Sequence, residues 1–138
     1  MNANELKERT KQFALRIMRL VDGLPRTPKG RALASQLVRS GMSVAANYRA
    51  ACRGPSRAEF IAKLGTVEEE ADETVLWIEL IVADKILPEK KILPLLNEVN
   101  ELVAIMAAWY ISATRNKRDG FANKSQSAIS TPKSEIRT

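Results

Sequence analysis

The residues best equipped for chemistry lie between Gln36 and Leu80 of the 138-residue chain. Glu68, Glu69, Glu70, Asp72 and Glu73 crowd carboxylates together, the donors that a di-metal helical bundle uses. Such a centre draws carboxylates from four helices and a Glu-x-x-His from two of them. The chain has no histidine, and its other segments offer no matching inward acids. Pairing of these acids with the basic segment before them is the better reading. Cys52 is the only cysteine, and no histidine exists to activate it as a nucleophile. On the apolar side of its helix it reads as a small buried hydrophobe. Gly54 and Gly65 are isolated, so no phosphate-cradling loop is present. These residues point away from an enzyme: no catalytic residue, metal, cofactor or small-molecule substrate is expected.

Charge is informative by position. Residues 23–58 carry seven basic residues and no acid, whereas residues 59–84 carry eight acids against Lys63 alone. Arginine suits phosphate because its planar fork bonds bidentately. The basic residues spread round their helix, so they cannot all serve one groove. Arg26, Lys29, Arg31, Arg53 and Arg57 gather at the helix ends and are the candidate nucleic-acid contacts. Arg39 and Arg49 lie near a polar line of Gln36, Ser40, Ser43 and Asn47. Glu69, Asp72, Glu73 and Trp77 share a face of the next helix. The line is either solvated surface or a polar seam between helices or subunits, and internal pairing of Arg39 or Arg49 with an acid of that helix is expected. Aromatic stacking residues are absent from the basic surface, so RNA binding there would be electrostatic and weakly sequence-selective.

The elements that position these residues are helices. Aromatics are few, and the apolar residues are mostly Ala, Leu, Val and Ile. Leu6, Phe13, Ile17, Leu20 and Leu24 form a stripe on a first helix, from about Asn4 as N-cap to Asp22, with Gly23 as a left-handed stop before Pro25. Thr27-Pro28 opens a second helix that runs to Arg53, with Leu33, Leu37, Val44, Tyr48 and Cys52 or Ala51 inward. Gly54-Pro55 breaks it, and Ser56-Arg57-Ala58-Glu59 is a capping box for a third helix reaching about Lys85. Phe60, Leu64, Val67, Ala71, Thr74, Ile78 and Ile81 alternate by four and three, the spacing of a bundle seam. A fourth helix begins between Pro88 and Lys91 and ends near Arg115, with Pro94 awkward near its start. Its stripe is Leu95, Leu96, Val99, Leu102, Val103, Met106 and Tyr110. The short breaks make neighbours antiparallel. The expected fold is all-α: an antiparallel up-down-up-down four-helix bundle over residues 1–115, followed by a disordered basic tail over 116–138. No apolar run approaches the roughly 20 residues of a membrane span, and the charged N-terminus lacks a signal core. With one cysteine, a cytoplasmic location fits best.

The stretch from residue 24 to 82 closely resembles the four-helix bundle family named after proteins encoded in intervening sequences of bacterial 23S rRNA genes. The resemblance rests on Gln36, Arg39-Ser40, Ser43-Val44, Ala46-Asn47, Tyr48-Arg49, Ser56-Arg57, Glu59-Phe60, Lys63-Leu64, Glu69 to Thr74, and Trp77. Met42 and Gly54 depart from the pattern. The resemblance is looser over the first and last helices and absent from the tail. It implies a left-handed antiparallel bundle that assembles as a homopentamer with a central channel, and an association with rRNA inferred from gene location. It also implies that the polar line is a subunit interface or shared pocket. A related bundle is the accessory protein of diversity-generating retroelements, a more basic protein that binds nucleic acid and a reverse transcriptase. The leading expectation is therefore a non-enzymatic homo-oligomer associated with rRNA or another structured nucleic acid. The alternative is a protein-binding adaptor or assembly subunit.

Overall fold

Four helices account for the fold of the computed structural model, which describes residues 1–54 and 56–127, with side chains through residue 115. They are α1 (Ala3–Asp22), α2 (Pro28–Arg53), α3 (Arg57–Ala83) and α4 (Glu89–Ser127). The chain is all-α among the described residues, and α1 packs on α2, α2 on α3 and α3 on α4, as an up-down-up-down bundle requires.

Local chemistry fixes most of the boundaries. Asn2, rather than Asn4, caps α1: its side chain accepts from the Glu5 amide at 2.8 Å and donates to the Glu5 carboxylate at 3.0 Å. Glu5 stands at the position where a capping partner reaches back, which Asn4 could not exploit. Gly23 closes α1 at φ −90°, not in the left-handed region expected of it. Thr27 caps α2 by accepting from the Gly30 amide, with Pro28 at the first helical position. A Cβ at residue 30 would run into the Pro25 carbonyl, so the turn between α1 and α2 demands glycine there. Ser56 caps α3 by accepting from the Glu59 amide at 3.1 Å. That helix ends at Ala83, two residues early, because Lys85 takes φ 54°. The Lys85 and Ile86 amides then donate to the Val82 and Ile81 carbonyls, a Schellman closure.

α4 starts early, at Glu89, and holds Pro94 within it. Pro94 is exposed, so the backbone acceptor it leaves without an amide faces water. The helix also continues beyond Arg115, its expected end, through Ser127. No proline interrupts residues 95–131, and propagation of an established helix needs no apolar stripe. The rest of the expected tail, 128–138, lies outside the described residues.

The core is the set of inward stripes. Leu6, Phe13 and Ile17 of α1 meet Leu37, Val44 and Tyr48 of α2, Leu64 to Ile81 of α3, and Ile92, Leu95, Val99, Leu102 and Met106 of α4. Residues 89–115 are long and apolar enough to cross a membrane by composition, contrary to the sequence expectation. Their inward stripe lies in the core and Glu98 and Glu101 pair with α1, while Leu93 and Ile111 remain exposed.

Candidate nucleic-acid interface and polar seam

The candidate nucleic-acid residues divide. Arg26, Lys29 and Arg31 are exposed at the start of α2. Lys29 donates to Asp84 at 2.6 Å, which fastens the start of α2 to the end of α3. The turn into α4 follows, so exposed Lys85, Lys90 and Lys91 stand at the same end of the bundle. Antiparallel order thereby gathers cations that are about 60 positions apart in the chain. Arg53 is exposed at the opposite end, apart from these. Arg57 must be withdrawn from the set: it is 4% exposed and engaged within the protein. As the first residue inside the Ser56 cap, it turns into the bundle and offers no fork to solvent phosphate.

The expected polar seam also divides. Arg39 reaches across from α2 to α3, with Nη1 donating to Glu70 at 2.9 Å, Nη2 to Glu73, and Nε to Gln36 Oε1 at 3.2 Å. Desolvation works against its charge, but Glu70 and Glu73 outweigh it and hold the guanidinium above its ordinary pKa. The pairing of Arg39 with acids of α3 is thus present, although Glu70 replaces the expected Glu69 and Asp72. One turn inward, the buried Thr74 hydroxyl donates to the Glu70 carbonyl at 2.9 Å and accepts from the Ser40 hydroxyl at 2.8 Å. Ser43 and Asn47 bond each other along α2: Asn47 Nδ2 donates to Ser43 Oγ at 2.8 Å and to its carbonyl at 3.0 Å. Glu69 and Asp72 face solvent, and Arg49 has no ion-pair partner among the described residues. Trp77 is half-buried beside the core, and its shielded Nε1 finds no acceptor among the described residues.

Two features escaped the sequence reading. Arg9 clamps α1 to α4, bidentate to Glu98 at 2.7 and 2.8 Å, with Glu101 at 2.8 Å. The hydrogen bond to Glu98 is the main reason its pKa rises. Neither acid matched a pattern, because α1 and α4 meet only in the closed bundle. The second is a groove of about 810 Å³ on the α1–α2 face. Ala14, Met18, Met42 and Ala46 line its apolar part, and on its rim Lys7, Lys11, Arg49, Arg53 and Lys63 outnumber the single acid, Glu59. Small residues at 14, 45, 46 and 50 leave the hollow.

A family described as 23S rRNA-intervening sequence protein matches residues 2–108. A crystal structure from Bacteroides thetaiotaomicron, of a protein with unknown function from the S23 ribosomal protein family, is 32% identical with a TM-score of 0.73. The similarity covers 80% of this chain and 98% of that one. No curated protein matches the chain.

Proposed function

The chain belongs to the 23S rRNA-intervening sequence protein family, and from that premise we propose that it is a non-enzymatic, homo-oligomeric bundle that associates with structured RNA through its loop end. The observation that carries this reading is the convergence of exposed Arg26, Arg31, Lys85, Lys90 and Lys91 where both helical turns meet. Three other cations are already committed: Arg9 to α4, Arg39 to α3 and Lys29 to Asp84. The family name supplies an rRNA context, the sequence resemblance adds a five-membered ring, and the lone Cys52 fits a cytoplasmic setting. A ring with aligned subunits would repeat the basic end on one face, multiplying weak phosphate contacts. Because no aromatic platform accompanies these cations, recognition is of backbone and shape rather than base sequence.

The test is binding of a folded 23S rRNA helix by the oligomer, sized by light scattering, for wild type and for Arg26→Ala with Arg31→Ala. The double variant should bind more weakly and lower the salt slope by about 2. Unchanged affinity in the variant would remove the loop end from the account.

A further inference from the structure

The α1–α2 groove has a complement elsewhere on the same chain. α3 carries Glu69, Asp72, Leu76, Glu79 and Leu80 on one outward stripe, all exposed, and Leu76 and Leu80 are 47% and 43% exposed. Glu69, Leu76 and Leu80 lie two residues on from the buried Val67, Thr74 and Ile78, about 200° round the helix, with Asp72 and Glu79 beside them. The groove offers an apolar hollow with a basic rim, and this stripe offers leucines with acids. We propose that the groove receives the outward face of α3 from a second copy of the chain. The proposal rests on the homo-oligomer reading above and names the two surfaces that build it.

Polarity along the axis supports this pairing. At the middle of α3 the stripe is acidic, at Glu69 and Asp72; towards its end it presents Leu76 and Leu80, with Glu79 at their flank. The groove has the same order. Arg49 and Arg53 lie towards the end of α2, beside the start of α3, and Met18 and Met42 lie further up. Two copies pointing the same way therefore set acids against arginines and leucines against methionines. Copies pointing oppositely would set leucines against arginines. The Ser40–Thr74 bond places Met42 near the level of Asp72. Seating Leu76 beside Met42 then needs an axial offset of about one helical turn, ~5 Å, which tilted bundles provide. The contact is heterologous, joining different patches on the two copies, and such contacts generate closed rings when the rotation closes. RNA fits the rim charges of this groove but has no use for its methionine and alanine hollow.

The decisive experiment is disulfide trapping in a Cys52→Ser background. A chain carrying both Met42→Cys and Leu76→Cys should oxidise to a covalent ladder ending at the ring size. Chains carrying either cysteine alone should stay uncrosslinked, and an equimolar mixture of the two should form dimers. A ladder absent from an intact oligomer overturns this interface while leaving the oligomer reading standing. Dimers from Leu76→Cys alone overturn it in favour of a symmetric contact. A monomeric wild type by light scattering defeats the oligomer reading, and this interface with it. Charge reversal gives a second measure: Arg49→Asp and Glu69→Lys should each raise the dissociation concentration about tenfold or more, and their combination should restore assembly. If Arg49→Asp abolishes RNA binding yet leaves assembly unchanged, the groove is an RNA site and the proposal falls.

Discussion

At the scale of single residues, the bundle is held by a few polar contacts whose partners are far apart in sequence. Arg9 and Glu98 are both mostly shielded, so Arg9→Ala would leave a carboxylate half-buried without its fork. A loss of about 2 kcal/mol in urea unfolding is expected, and Glu98→Gln should recover part of it in the double variant. Thr74→Val should cost about 1 kcal/mol by leaving Ser40 without its cross-helix partner. Tyr48 predicts a pH effect. Burial, and after it the Cys52 thiol, push its phenol pKa above the ordinary value, so the folded state resists its ionisation. The unfolded chain releases that proton first, and stability present below about pH 10 falls as pH rises beyond it. Tyr48→Phe should flatten this alkaline loss while changing little at pH 7, because the donated bond to the Ala3 carbonyl is long, at 3.4 Å. Arg39 pairing was legible in the sequence, since opposite charges on facing stripes have few other places to go. The burial of Arg57 was not, because a residue just inside a cap is usually wet and only closure of the bundle end covers it.

At the scale of elements, periodicity made the four helices legible, and caps placed three of their starts within two residues. What failed was what periodicity does not govern. The end of α4 depends on the absence of a breaker rather than on an apolar stripe. Gly23 has the freedom for a left-handed cap but does not use it, while Lys85 pays that conformational cost instead. Lys85→Gly should therefore stabilise the fold by about 0.5–1 kcal/mol, seen as a raised Tm. Gly30→Ala should do the reverse, by about 1–3 kcal/mol, because its Cβ meets backbone that cannot move aside cheaply. Together the two variants separate a strained turn from a crowded one.

For the whole molecule, the decisive property is where charge ends up after folding. The sequence placed a basic helix before an acidic one, and their contact consumes Arg39, while Lys29 holds the end of α3. The net charge of +6 is therefore not spread evenly: free cations remain at the loop end and round the α1–α2 groove. We assign the first group to RNA and the second to another copy. The measurement that tests this most directly is affinity of the sized oligomer for a folded 23S rRNA fragment across a salt titration. Five exposed cations, Arg26, Arg31, Lys85, Lys90 and Lys91, predict a slope of log affinity on log salt of about −4 for one engaged subunit, and steeper for several. Absence of binding by a well-formed oligomer, or affinity indifferent to salt, would contradict the account and leave a protein-binding adaptor in its place.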